Sequence, residues 1–210
     1  MDASQLLKDA RIVPVVVIDE PDAGVALAET LVDAGLRYLE ITLRTENALE
    51  VIEKMAAATP AAVIGAGSVR EAAQFRQVRD AGARFAVSPG FSEVLTDAAR
   101  EARMPFVPGG VTASELIRLR ELGYSLIKFF PAELAGGISM LKALGGPLPE
   151  VRFFPTGGIT PARAPDYLRL PNVSCLGGTW ITPADRLVAR DFEAIGELAR
   201  QAADIAAEAG

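Results

Sequence analysis

The amino-acid sequence predicts an α/β fold, a (β/α)8 TIM barrel, built as one domain over residues 1–210 with an extra helix at its N-terminus. Three observations lead there. Eight short apolar runs recur at intervals of about two dozen residues, the spacing of a strand followed by a helix. Longer stretches with helical apolar spacing lie between them. Glycine-rich turns follow the seventh and eighth runs, and no linker or low-complexity segment interrupts the series.

The elements follow in order. Residues 2–10 read as the extra helix, ahead of a first strand at 12–18. The runs at 38–43, 62–64, 84–87, 105–107, 126–129, 151–154 and 173–176 supply the other strands, and residues 191–208 the closing helix. Val94, Leu95, Ala98, Ala99 and Ala102 form one helical stripe, and Leu116, Ile117, Leu119 and Leu122 another, as outer helices require. Thr112 with Glu115, and Ser68 with Glu71, have capping-box spacing. Thr160-Pro161 offers a cap followed by proline at the first helical position.

Composition narrows the chemistry. The chain has no histidine, so a Ser-His-Asp triad, a Cys-His pair and a His-ligated zinc are all excluded. Cys175 is the only cysteine, which excludes an intramolecular disulfide and a cysteine metal cluster. An all-oxygen Mg²⁺ site stays open, and acid-base work falls to Glu, Asp, Lys, Tyr or water. The net charge of −6 and the lack of a basic run argue against nucleic acid as a partner. No apolar stretch approaches a membrane span, and residues 1–11 do not resemble a signal peptide, so a cytosolic (cytoplasmic) protein is expected.

Two charged residues fall inside apolar strands. Lys128 lies within Leu126-Ile127-Lys128-Phe129-Phe130-Pro131, where desolvation disfavours an ammonium. A neutral amine is a nucleophile that attacks ketones to form a Schiff base. An ordinary strand-end lysine with its head in water is the competing reading. Strand alternation sends Leu39, Ile41 and Leu43 toward the helices, so Tyr38, Glu40, Thr42 and Arg44 face the interior. Likewise Ile127 and Phe129 face the helices, and Leu126, Lys128 and Phe130 the interior. An inward carboxylate and an inward amine therefore share the barrel, either as a space-filling ion pair or for chemistry. Buried ion pairs are weak stabilisers, which favours chemistry.

The glycine turns point to a phosphate. Phe154-Pro155-Thr156-Gly157-Gly158 follows strand seven and Leu176-Gly177-Gly178-Thr179-Trp180 strand eight, the usual phosphate position in such barrels. Backbone N–H groups approach an anion closely at paired glycines, and Thr156 and Thr179 add hydroxyls. Gly65-Ala66-Gly67-Ser68 either brings a serine to the mouth or merely caps the next helix. Ser88-Pro89-Gly90 and Pro108-Gly109-Gly110 are expected to shape the rim, or to serve only as turns.

Six runs together resemble a known family. Glu40-Ile41-Thr42-Leu43-Arg44-Thr45, Gly65-Ala66-Gly67-Ser68-Val69, Ser88-Pro89-Gly90, Lys128-Phe129-Phe130-Pro131-Ala132-Glu133, Pro155-Thr156-Gly157-Gly158-Ile159 and Gly177-Gly178-Thr179-Trp180 are similar to the 2-keto-3-deoxy-6-phosphogluconate (KDPG) aldolases. The resemblance runs from Arg11 to about Arg186. It implies a class I aldolase on a (β/α)8 barrel, often also acting on 4-hydroxy-2-oxoglutarate, needing neither metal nor cofactor and assembling as a homotrimer. It makes Lys128 the Schiff-base lysine and Glu40 the general acid/base. Arg44 and Ser68 would hold the substrate carboxylate; Thr156, Gly157, Gly158, Gly177, Gly178 and Thr179 would hold the phosphate, and Pro89 and Phe130 would shape the pocket. Ser68 stands where the family usually has threonine, and Thr179 where it usually has serine; both keep the hydroxyl. The expected partners are a phosphorylated 2-keto acid and pyruvate, with neither nucleic acid nor membrane. Competing expectations are an aldolase for the 6-phosphogalactonate epimer and an isomerase or decarboxylase in which Lys128 acts only by charge.

Overall fold

The computed structural model describes residues 2–209. Helix α1 (Ala3–Leu6) leads into β1 (Ile12–Val16) and α2 (Pro21–Asp33), followed by β2 (Tyr38–Thr42), α3 (Ala48–Ala58), β3 (Val63–Gly67) and α4 (Ala72–Asp80). Then come β4 (Phe85–Val87), α5 (Glu93–Glu101), β5 (Phe106–Val107), α6 (Ala113–Glu121), β6 (Leu126–Phe129) and α7 (Gly137–Gly145). The series ends with β7 (Arg152–Pro155), α8 (Ala164–Leu168), β8 (Leu176–Gly178), α9 (Ala184–Ala189) and α10 (Phe192–Glu208). This is the expected alternation of eight strands and their helices.

All strand pairs are parallel. One sheet runs β5-β4-β3-β2-β1-β8, and β6 pairs with β7. Isolated bridges Gly109↔Lys128, Phe153↔Val173 and Thr156↔Gly177 join the two pieces and close the barrel.

Alternation along the strands sorts the apolar side chains into two cores. Leu39, Ile41, Ile127 and Phe129 join the layer between strands and helices. Val13, Phe85, Val87, Val107, Leu126, Phe154 and Cys175 fill the interior, together with Ala3, Leu7 and Ala10 from the N-terminal segment. Each fully buried large side chain contributes about 1.5–3 kcal/mol. Because Tyr38 and Val63, at the starts of their strands, pack on this interior cluster, α1 and the turns after it cap the lower end of the barrel. The opposite, C-terminal end carries the polar residues.

Several local expectations change. The extra N-terminal helix is a single turn, and hydrogen-bonded turns replace the rest of residues 2–10. The capping box at Thr112 forms, with Thr112 Oγ1 accepting from Glu115 N at 3.3 Å and Glu115 Oε2 from Thr112 N at 2.8 Å. The one expected at Ser68 does not. Instead α4 starts after Glu71, and Gln74 Oε1 accepts the N–H groups of Arg70 and Glu71 at 2.7 and 3.0 Å. Thr160-Pro161 opens a hydrogen-bonded turn, and α8 begins at Ala164. The last strand is also shifted. Gly177 and Gly178 lie within β8, paired with Val13 and Pro14, so the turn starts only at Thr179. Glycine suits this strand because neighbours occupy the side-chain positions: a Cβ on Gly178 would lie 2.8 Å from Ile181 Cδ1. No helix among the described residues is long and apolar enough to cross a membrane.

Candidate active site

Glu40 on β2 and Lys128 on β6 meet inside the barrel. Glu40 is fully buried and Lys128 only 5% exposed, and Lys128 Nζ donates to Glu40 Oε1 at 2.8 Å. Register delivers both groups to the same depth: Glu40 lies beside Val15 and Gly65, and Lys128 beside Phe154 and Gly109. The strand-end lysine with its head in water is thereby ruled out.

Three neighbours shape this pair. Gly67 makes room for it, since a Cβ there would lie 2.2 Å from Glu40 Oε1. The rings of Phe130 and Phe154 stand 5.7 and 5.9 Å from Nζ, close enough to attract a cation through their faces. Glu40 Oε2 is buried and has no partner among the described residues, so one acceptor remains available beside the amine. Below the pair, burial and then the charge of Glu40 push the Cys175 thiol well above its ordinary range, so it stays protonated and inert.

Arg44 and Ser68 come together at the mouth. Arg44 Nε donates to Ser68 Oγ at 3.1 Å. Ser68 has φ 59°, the left-handed region, which places its hydroxyl toward Arg44 instead of over the next helix. A guanidinium with a hydroxyl alongside suits a carboxylate.

The third group surrounds the ends of β7 and β8. Gly157 and Gly158 have φ 102° and 77°, conformations that side-chain-bearing residues rarely adopt. Thr156 is buried and its Oγ1 has no partner among the described residues. That hydroxyl occupies the space that a Cβ on Gly177 would fill, at 2.3 Å. Gly178 ends β8, and Thr179 is exposed just beyond it. Pro89 lies over Gly109, whose absent Cβ would come 2.3 Å from the Pro89 carbonyl, so these two turns stack at the rim. The three groups occupy one end of one barrel, where loops build active sites.

Some contributors were not singled out from sequence. In the sequence Gly67 stands out only as part of a turn, and Phe154 only as the end of strand seven leading into a glycine turn; inward alternation on β7 signals the latter. Glu133, Tyr167 and Arg163 form a cluster beside Gly158 that no periodic pattern announces.

A family model described as KDPG and KHG aldolase matches residues 3–198. The chain belongs to the KDPG and KHG aldolase family. It is 46% identical over 202 residues to the 2-dehydro-3-deoxy-phosphogluconate aldolase of Pseudoalteromonas atlantica, covering 96% of this chain and 94% of that protein. A KHG/KDPG aldolase of Escherichia coli is also 46% identical, over 96% of this chain and 95% of its own. The crystal structure of the KDPG aldolase from Legionella pneumophila superposes with a TM-score of 0.92 at 42% identity, covering 95% of this chain and 97% of that one. In that structure pyruvate is captured as a covalent carbinolamine. Members of this aldolase family are carbon–carbon lyases, and the match spans nearly the whole barrel, so all three groups of the site lie within it.

Proposed function

We propose that this chain is a class I aldolase that reversibly cleaves KDPG to pyruvate and glyceraldehyde 3-phosphate, with side activity on 4-hydroxy-2-oxoglutarate. The observation that carries the reading is the buried Lys128–Glu40 contact of 2.8 Å at the open end of the barrel. Passing the shared proton along that bond leaves a free amine beside a carboxylic acid, the two groups that imine formation needs.

Lys128 Nζ attacks the C2 ketone, and the carbinolamine loses water, with Glu40 supplying the proton. The resulting protonated imine withdraws electrons from C3. Glu40, again a carboxylate, takes the C4 hydroxyl proton. The C3–C4 bond then breaks, its electron pair entering the enamine as C4 becomes the aldehyde. Protonation at C3 by Glu40 and hydrolysis of the imine release pyruvate and regenerate Lys128. Arg44 and Ser68 hold the carboxylate. Thr156, Gly157, Gly158, Gly177, Gly178 and Thr179 receive the phosphate, and Pro89 and Phe130 bound the space between. Anchoring both ends holds the ketone at the amine and lowers the entropic part of the barrier. No step requires a metal or an organic cofactor.

The homotrimer and the cytoplasmic setting belong to the same proposal. Leu134 and Val188, 89% and 87% exposed, are apolar surface that subunit contacts would cover.

Borohydride reduction in the presence of pyruvate tests the covalent step. Mass spectrometry should find a reduced pyruvyl group on Lys128, absent from Lys128→Arg. An isomerase or decarboxylase using Lys128 only by charge gives no adduct. An adduct that persists in Lys128→Arg would place the nucleophile elsewhere.

A further inference from the structure

The segment that follows Lys128 runs directly beneath the turn assigned to the phosphate. Ala132 N donates to Thr156 O at 2.8 Å and Glu133 N to Gly157 O at 3.1 Å. The turn is pressed against this segment: a Cβ on Gly157 would lie 3.2 Å from the Phe130 ring, and one on Gly158 would lie 3.0 Å from Glu133 Cβ. Glu133 therefore puts a carboxylate under the very turn that is to receive a dianion. Left free, it would repel the phosphate and compete with it for the N–H groups of the turn.

The fold restrains it. Tyr167, fully buried on α8, donates its hydroxyl to Glu133 Oε1 at 2.6 Å. Arg163, half exposed, lies 3.9 Å from the same oxygen. Gly137 has φ 54°, and a Cβ there would lie 2.9 Å from the Tyr167 hydroxyl and 3.7 Å from Glu133 Oε1, so this glycine keeps the contact open. Burial, reinforced by the Glu133 hydrogen bond, raises the Tyr167 pKa, which keeps the phenol a donor across the neutral range.

We infer that Tyr167 and Glu133 are positioning residues for the phosphate end of the substrate: Tyr167 turns the Glu133 carboxylate away from the Thr156–Gly158 turn, and the backbone of Glu133 holds that turn in register with Lys128. This rests on the aldolase reading above and adds to it two residues that touch neither the reacting bond nor the phosphate. It predicts a preference for phosphorylated substrate that depends on a hydrogen bond behind the site.

Tyr167→Phe tests this with the ring and its packing retained. The expected result is a rise in KM for KDPG of about tenfold, the size of one hydrogen bond to a charged group, with kcat and both constants for 4-hydroxy-2-oxoglutarate nearly unchanged. Inhibition by inorganic phosphate should weaken in parallel. Adding Glu133→Gln to Tyr167→Phe should restore much of the lost affinity, because the loosened group then carries no charge. A merely structural tyrosine predicts otherwise: both substrates would suffer together and the second substitution would restore nothing. Equal losses on both substrates, no loss, or no rescue each overturn the inference. Pyruvate trapping on Lys128 and phosphate inhibition of the unaltered enzyme separate the two levels. If trapping fails, the aldolase reading falls; if trapping succeeds and phosphate does not inhibit, the phosphate turn falls and the inference with it.

Discussion

A methyl group added at Gly67 moves Glu40 without altering it. The new Cβ would lie 2.2 Å from Oε1 and 2.6 Å from Cγ of Glu40, closer than non-bonded atoms approach. Glu40 is fully buried and Oε1 is held by Lys128 at 2.8 Å, so relief requires the carboxylate to swing off the amine or β3 to shift outward. A misplacement of about 1 Å in a reacting group costs on the order of 10²-fold, within the ~10²–10⁴-fold that a general acid/base contributes. Gly67→Ala should therefore lower kcat about 10²-fold on both KDPG and 4-hydroxy-2-oxoglutarate. Overpacking should cost about 1–3 kcal/mol, a drop in Tm of roughly 2–12 °C for a chain of this size. Gly65→Ala is the matched control on the same strand, because the nearest atoms its Cβ would meet belong to the Phe85 ring of the interior core, at 2.2 Å, and not to Glu40. Pyruvate release followed through a coupled lactate dehydrogenase reaction gives kcat, and thermal melts give Tm. A Gly67→Ala enzyme that keeps turnover within about threefold of the parent, while its Tm falls as far as that of Gly65→Ala, would refute the steric link between Gly67 and Glu40.

Three further outcomes are expected. Ser68→Gly removes a hydroxyl from beside Arg44 and relieves a left-handed backbone that costs a non-glycine residue roughly 1–2 kcal/mol, so KM should rise on both substrates while Tm holds or increases; a lower Tm with unchanged KM contradicts this. Gly178→Val collides with Ile181 and the Trp180 ring, 2.8 and 3.1 Å from the added Cβ, so activity on KDPG should fall much further than activity on 4-hydroxy-2-oxoglutarate; equal losses would remove the phosphate site from β8. The Cys175 thiol is raised in the fold by burial and then by Glu40, so its contribution to stability is complete below the unfolded thiol value of about 8.5 and is lost as pH climbs above it. Melts of Cys175→Ala across that range should decline less steeply, by up to about 1.4 kcal/mol per pH unit; an identical slope would show that the folded thiol ionises alongside the unfolded one and is not held up by burial.

Glu40 and Lys128 were legible because strand alternation is strict: with Leu39, Ile41, Ile127 and Phe129 on the helix side, the two charged groups had to face inward. That they touch, across 88 positions of sequence, follows from closing the ring and not from either strand alone. Ser68 was ambiguous because a capping hydroxyl and a binding hydroxyl use the same residue and spacing; the backbone φ of 59° decides between them, and side-chain pattern does not encode it. Gly177 and Gly178 read as a turn because glycine usually breaks strands, yet here Thr156, Trp180 and Ile181 fill the space beside them. Tyr167 looks like any aromatic on a short helix, and its partner lies 34 residues away, so only the fold reveals the contact.

The strands around the ring are not fastened equally. Six form one continuous sheet, whereas β6 and β7 are joined to it at Gly109↔Lys128 on one side and at Phe153↔Val173 and Thr156↔Gly177 on the other. Mechanically, the barrel is a broad shell with a narrow insert, and the insert carries both the amine and the turn proposed to receive the phosphate. The Lys128–Glu40 bond then acts as a strut across the lumen, tying insert to shell where the seams are thinnest. Amide hydrogen exchange at Gly110, Lys128, Phe153 and Ser174, whose N–H groups close those seams, should outpace exchange within β2 and β3. Cutting the strut with Lys128→Ala should quicken exchange at the seams first, because the lysine proposed as the nucleophile also sets the stiffness of the wall it stands on.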